Sequence, residues 1–406
     1  MLALNSHLTP TLNNTSMILL DKPYVSDFLQ STLAKNQYPV VKTANAELLI
    51  TNKQVKLISE SEAIKLVQDN SLELVYSNSE NAISWVEKNL PFSRLPKTIK
   101  LFKDKVAFRE LVKPIFPNFY FKSVPITELA TLSSTDIPKP FIIKPAIGFF
   151  SMGVHKVDSD KEWEALRTTI VGEIEEVKDL YPKEVMNAGN FIIEECIEGD
   201  EYAVDCYFNS DGKPTVLNIM EHIFGSGKDV SDRVYLTSKE IIENNIANIE
   251  DFLSKVSGLT ELRNFPAHIE IRIDKTGTIY PIEVNPMRFG GWCSTGDMAW
   301  LAYGINEYEC FFEHKAPNWS EILKNKAGKV YSISILDNNS GYKAEEIAKF
   351  DYDRLLTHFE KPLELRKINY NEYPVFAFLF SESRKENMAE LERILKSNLR
   401  EYIVKK

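Results

Sequence analysis

The sequence predicts an α/β protein in which a small parallel α/β domain is followed by larger α+β lobes. Three observations lead there. Short apolar runs alternate with amphipathic stretches up to Arg94, longer strands and two long helices fill the middle, and a fresh strand-and-helix pattern starts after Ala327. A chain of 406 residues has room for about two or three domains. The expected division is a loose polar leader over 1–15, an α/β domain over 16–96, a large α+β domain over 97–327, and a small α+β lobe over 328–406.

In order, Met17–Leu20 reads as a buried strand and Ser26–Lys35 as a helix with Phe28, Leu29 and Leu33 on one face. Leu48–Ile50, Val55–Ile58 and Leu72–Tyr76 read as strands, with helices at Ala63–Gln68 and Ala82–Asn89. Arg94–Lys105 is a basic run that reads as a solvated linker. Lys105–Val112 is helical and is ended by Pro114 and Pro117. Strands follow at Phe141–Lys144, Val154–Val157, Phe191–Glu195, Tyr202–Phe208, Thr215–His222, Ala267–Asp274 and Ile279–Val284. Helices at Asp160–Val177 and Lys239–Val256 interrupt them, the second with a stripe of Ile242, Ile246, Ile249, Phe252, Leu253 and Val256. Val330–Leu336, Leu363–Ile368 and Val375–Phe380 read as strands, Ala344–Phe350 and Glu386–Tyr402 as helices.

Composition narrows the function classes. Hydrophobic residues at 44% and charged residues at 26% describe a globular chain rather than a disordered one. A net charge of −10 argues against a dedicated nucleic-acid or anionic-membrane binder, which needs a basic footprint. No apolar run approaches the roughly 18–20 residues of a bilayer span. No Lys or Arg precedes Lys22, which argues against a secretory signal. Cys196, Cys206, Cys293 and Cys310 lack metal-type spacing and are too few for a disulfide scaffold, so a cytoplasmic setting is expected.

The stretch Phe141–Val154 delivers Lys144 from an apolar strand into a loop holding Gly148, Ser151, Met152 and Gly153. A lysine there can neutralise phosphates while the glycines admit backbone N–H groups. Taken alone it is equally a glycine-bearing hairpin with a surface lysine. Phe191–Asp205 ends a strand in Glu194 and Glu195, passes Cys196 and Ile197, and turns at Gly199 before Glu201. Its carboxylates can accept from an amino group or from hydroxyls, although by itself the stretch reads first as an acidic turn.

The stretch His268–Asn285 is sharper. Alternation sets His268, Glu270 and Arg272 on one strand face, and the return strand sets Glu283 and Asn285 on a common face. Two carboxylates and an amide oxygen suit a hard divalent cation, whose other positions go to waters and phosphates. The next loop, Asn285–Trp292, places Arg288 beside that hairpin and follows it with Gly290 and Gly291. A guanidinium there can clamp a carboxylate or a phosphoryl group. Glu221, His222, Asp229, Asp232 and Arg233 fall in a polar stretch that reads either as substrate-facing or as an ordinary loop. His222 and His268 are candidate bases for an incoming amine, against a plain structural role.

In this order the motifs resemble the ATP-grasp superfamily, over about residues 95–315, with 16–94 resembling the pre-ATP-grasp domain found ahead of it. The resemblance implies ATP held between two lobes with Mg²⁺, Mn²⁺ being an alternative. Lys105 and Lys144 match the family's phosphate-binding lysines, and Ala146–Gly153 its closing loop. Glu194 matches the residue facing the adenine amino group, the backbone of Glu195–Ile197 the adenine reader, and Glu201 the ribose acid. Glu270, Glu283 and Asn285 match the magnesium triad, and Arg288 resembles the arginine after it, displaced by one residue in Asn-Pro-Met-Arg.

The implied activity is ligation of a small-molecule carboxylate to an amine through an acylphosphate, with ADP and phosphate released. The implied partners are these small molecules and a second copy of the chain, with no nucleic acid and no membrane. The segment after Ala327 resembles the extra lobe of amino-acid ligases of this superfamily. Carboxylation, thioester formation and a non-catalytic nucleotide-binding module are the alternatives.

Overall fold

The computed structural model describes residues 16–69, 74–148, 153–177, 187–226 and 231–406. The expected leader over 1–15, Ser151, Met152 and Asp229 lie outside the described residues. The N-terminal strands are β1 Ser16–Leu19, β2 Val40–Val41, β3 Leu57–Ile58 and β4 Leu74–Ser77. They form a parallel sheet in the order β3-β2-β1-β4. Every residue of β1 is buried, as a strand covered on both faces must be. The Ser26 hydroxyl accepts the Leu29 N–H and starts the helix Asp27–Asn36. Thr43 does the same for Ala44–Leu49, so Leu48–Ile50, expected as a strand, is the end of a capped helix.

The basic run is not a linker. It forms the helix Leu95–Lys103, because Leu95, Ile99 and Phe102 fall on one face and bury it. The Asp104 carboxylate then accepts the N–H groups of Val106 and Ala107 and opens a second helix, Lys105–Val112. Lys103 and Lys105, at this junction, are buried.

The next strands are β5 Phe121–Pro125, β6 Phe141–Ile147, β7 His155–Val157 and β8 Asn187–Glu195. They make an antiparallel lobe in the order β5-β8-β6-β7. The helix Asp160–Val177 lies against it through the fully buried Trp163, edge-on to Phe141 at 5.7 Å.

The strands β9 Asp200–Phe208, β10 Pro214–Ile223, β11 Val234–Ser238, β12 Phe265–Ile273 and β13 Ile279–Pro286 belong to a third sheet. The helix Lys239–Leu259, capped by Ser238, covers it with Ile242, Ile249, Phe252, Leu253 and Val256 buried. Residues after 327 supply β14 Lys329–Asp337, β15 Ile347–Phe350, β16 Lys361–Lys367, β17 Val375–Arg384 and β18 Ile403–Lys405.

These last strands do not stand apart. The sheet runs β13-β12-β9-β10-β11-β14-β17-β16, with β14 paired antiparallel to β11. The expected helix Ala344–Phe350 is a short turn followed by β15, which pairs with β18. A bulge between Ile347 and Lys349 lets Ile347 and Phe350 both face inward, and that spacing imitates a helix. The expected helix Glu386–Tyr402 is confined to Ala389–Lys396, with a separate turn at Arg400–Tyr402. Among the described residues, no helix is long and apolar enough to cross a membrane.

Candidate functional site

The hairpin β12–β13 carries the acidic end of the site. Its turn is set by Asp274, whose carboxylate accepts the N–H groups of Thr276 and Thr278. The register puts Glu270 opposite Glu283 and His268 opposite Asn285, so the polar residues of both strands share one face as alternation predicts. The Asn285 amide donates to Glu283 Oε1 at 3.3 Å, which leaves its own oxygen to accept. Burial and the charge of Glu283 push the Glu270 carboxyl well above its ordinary range. Glu283 goes the other way: burial raises it, but Lys105, Lys103 and Lys144 outweigh burial and hold it low.

Among the described residues no three His, Cys, Asp or Glu side chains converge at metal-binding distances. The candidate set has two carboxylates and an amide instead. Its all-oxygen chemistry and the mutual repulsion of two partly buried carboxylates fit Mg²⁺.

Cations face this end. Lys105 Nζ lies 2.8 Å from Glu283 Oε2 and 3.2 Å from the Gly148 carbonyl. Lys144, from β6, lies 2.5 Å from Glu194 Oε1, while Arg109 Nε donates to Glu194 Oε2 at 2.8 Å. The Arg109 guanidinium also stacks over Phe119 at 4.3 Å. Burial alone would raise Glu194, yet Arg109 and Lys144 bring it down to about 2.

Both oxygens of Glu194 are therefore engaged. This residue, expected to face an adenine amino group, holds Lys144 and Arg109. The Glu195 N–H donates to the Tyr120 carbonyl and the Cys196 N–H to the Pro140 carbonyl, while the Ile197 carbonyl accepts from Arg272 at 2.7 Å. Gly153 has φ +68°, a left-handed conformation that glycine adopts without strain.

Glu201 sits at the start of β9 between His222 Nδ1 at 3.0 Å and the Arg272 guanidinium at 3.0 Å. Burial raises its carboxyl, but these two neighbours outweigh burial and leave it below the usual range. The second nitrogen of His222 faces the Ser231 carbonyl at 3.1 Å, and its ring stacks on Tyr235 at 4.3 Å. His268 Nδ1 lies 2.7 Å from Asp205, and its Nε2 lies 4.0 Å from Glu270. Both histidines are thus brought to the site, each held by a carboxylate.

Arg288 lies 3.2 Å from Glu80 and donates to the Phe289 carbonyl at 2.8 Å. Glu80 also pairs with the buried Lys103. The loop is rigid at Gly290, whose N–H donates to Thr295 Oγ1. A Cβ there would stand 2.1 Å from that same oxygen, whereas at Gly291 nothing lies within 4 Å. Burial pushes the Cys293 thiol up to about 11, which suits no nucleophile at neutral pH.

Two candidates stand away from this cluster. Arg233 is not open to substrate: it donates to Asp337 at 2.9 Å and to the carbonyls of Leu395 and Ser397, tying β11 to β14 and to the end of the helix Ala389–Lys396. Glu221 neighbours His222 on β10 and so points to the opposite face, near Tyr202 and Asp200.

Sequence reasoning missed Arg109, Lys103 and Glu80. Arg109 had a signal, because it lies four residues after Lys105 on the same helix face. Glu80 had one too: it follows the end of β4, and open parallel sheets place their sites at the carboxyl ends of strands.

Residues 137–296 match the family model of the ATP-grasp domain. Solved structures are similar over nearly the whole chain. An L-amino acid ligase from Bacillus licheniformis shares 20% identity with a TM-score of 0.67, covering 97% of this chain and 98% of that one. Biotin carboxylase from Campylobacter jejuni shares 12% at 0.61, over 97% and 92%. The N5-carboxyaminoimidazole ribonucleotide synthetase from Thermotoga maritima shares 14% at 0.61, over 96% and 99%. No curated protein matches the sequence. The chain thus has the ATP-grasp fold, and its residues 137–296 match the model of the ATP-grasp domain.

Proposed function

We propose that the protein is an ATP- and Mg²⁺-dependent carboxylate–amine ligase. In this reading the γ-phosphoryl group of ATP passes to an oxygen of a substrate carboxylate, giving an acylphosphate and ADP. An amine then attacks the acyl carbon, phosphate leaves, and an amide remains after the amine has lost a proton. The observation that carries the reading is the gathering of Lys105 beside Glu283, Glu270 and Asn285 in one partly buried cluster, with the charge of Arg288 acting on Glu270 and with the Gly148 carbonyl and Glu80 at its edge. Likeness in fold to the L-amino acid ligase, over almost all of both chains, supports an amino acid as one substrate.

Each residue has a part in the reading. Lys144, fixed by Glu194, and Lys105 neutralise the phosphates, which lowers the cost of bringing an anionic carboxylate against them. Glu270, Glu283 and Asn285 hold Mg²⁺, which when bound supplies positive charge to the phosphate oxygens. Arg288, aimed by Glu80, clamps the carboxylate or the transferring group. His268, held by Asp205, takes the proton of the amine in this reading. Burial of the cluster keeps water from the acylphosphate. Free thiols at all four cysteines suit the cytoplasm, and a homodimer is the assembly adopted in this reading.

The test is release of ADP and phosphate from Mg·ATP across a panel of amino acids, small carboxylic acids, amines and bicarbonate, singly and in pairs. Release requiring one acid and one amine together supports the ligase and names both substrates. Release with bicarbonate alone, or of AMP and pyrophosphate, overturns it.

A further inference from the structure

Lys105, assigned above to the phosphates, is held in the structure by Glu283. It begins the helix Lys105–Val112, it is buried, and its ammonium group makes a 2.8 Å ion pair with Glu283 Oε2. Glu283 is one of the two carboxylates assigned above to Mg²⁺. The groups that bear on it are Lys103, Lys105 and Lys144 as cations, Glu270 across the hairpin, and the Asn285 amide. Among the described residues, Lys105 is the cation in direct ion-pair contact with it. Lys103 is turned to Glu80, and Lys144 to Glu194.

An ammonium group and a divalent cation compete for the same carboxylate oxygen, and in a buried site their repulsion is screened little. The Gly148 carbonyl accepts from the same Nζ at 3.2 Å, so the ammonium group keeps a partner on that side when it leaves Glu283.

We propose that Lys105 is a tethered counter-ion of the candidate metal site: it occupies Glu283 until a metal–nucleotide complex arrives, then transfers to the phosphates. The consequence is order. Free divalent cation binds poorly, and the metal enters together with the nucleotide, whose phosphates give Lys105 somewhere to go. Glu283 thus has a positive partner before and after the exchange, an ammonium group first and the divalent cation afterwards. This rests on the assignment of Glu270, Glu283 and Asn285 to the metal.

The experiment is a titration of the full chain with Mn²⁺ at pH 8 without nucleotide, free Mn²⁺ being followed by electron paramagnetic resonance. Lys105→Met keeps the stem and removes the charge, and is expected to tighten Mn²⁺ binding by about ten-fold. Lys105→Arg keeps the charge and is expected to bind Mn²⁺ as weakly as the wild type, which separates loss of charge from damage to the fold. Adding ADP is expected to tighten Mn²⁺ binding in the wild type far more than in Lys105→Met.

Binding no tighter in Lys105→Met, with Glu283→Gln still weakening it, overturns the counter-ion role and leaves the metal assignment standing. Mn²⁺ binding that is indifferent to Glu283→Gln in both backgrounds overturns the metal assignment, and the counter-ion role with it.

Discussion

Glu80 Oε1 lies 3.2 Å from the guanidinium of Arg288, although 208 residues separate them in the chain. The N-terminal parallel domain thereby orients the arginine of the candidate substrate loop. Ser77 reinforces the join by donating its N–H to the Met287 carbonyl at 2.8 Å. Replacing Glu80 with Gln removes the charge that fixes Arg288 while keeping a similar shape. Turnover is expected to fall by about 10²-fold, the scale for a misplaced catalytic clamp, with Mg·ATP affinity changed by less than about three-fold. Steady-state kinetics beside calorimetric nucleotide binding separates the two.

Arg109 and Glu194 make a prediction about acid. The Glu194 carboxyl stands at about 2 because Arg109 and Lys144 overcome its burial. A depressed carboxylate stabilises the fold above its unfolded pKa, near 4.5, and that stability is lost as pH falls towards 2. The contribution is at most about 3 kcal/mol. Urea unfolding between pH 6 and pH 3 is expected to show a steeper loss in the wild type than in Glu194→Gln. Equal slopes would deny Glu194 its depressed pKa.

Arg233 is expected to behave as a structural residue. Its side chain joins Asp337 and the carbonyls of Leu395 and Ser397 in a buried tie. Arg233→Ala is expected to cost about 2 kcal/mol of stability, since two backbone carbonyls and the partly exposed Asp337 lose their charged donor. At a temperature where the variant stays folded, KM for both substrates is expected to match the wild type. A raised KM for the carboxylate with stability unchanged would restore Arg233 to the substrate site.

Gly199 tests the turn between the two lobes' sheets. It has φ +120°, and a Cβ there would stand 2.2 Å from the Ile273 carbonyl oxygen. Gly199→Ala is expected to lower stability by more than about 2 kcal/mol, because backbone must move to admit it. Thermal melts of the two proteins read this directly.

Much of this was legible in the sequence, and the reasons differ by region. The strand pair β12–β13 was clear because strict alternation with a polar turn leaves one register that buries Ile269 and Ile271. The helices Lys105–Val112 and Asp160–Val177 were bounded by their own chemistry, Pro114 downstream of one and acidic first-turn residues in the other. The basic run Arg94–Lys105 misled because its charges concealed the stripe Leu95, Ile99 and Phe102. Short strands such as Val40–Val41 carry too few residues to show a period. The partners of Glu194 and Arg233 were invisible for a different reason. They depend on which side chains meet across long separations, Arg109 with Glu194 or Arg233 with Asp337, and no local pattern encodes that.

The continuity of the large sheet has a consequence for dissecting the chain. Cutting after residue 327 would not release a module; it would strip β14 from β11 and expose the backbone donors and acceptors from Val234 to Ser238. It would also strand Arg233 without Asp337, Leu395 and Ser397. An open edge of that kind recruits other chains, so the shortened protein would be expected to aggregate rather than to work more slowly.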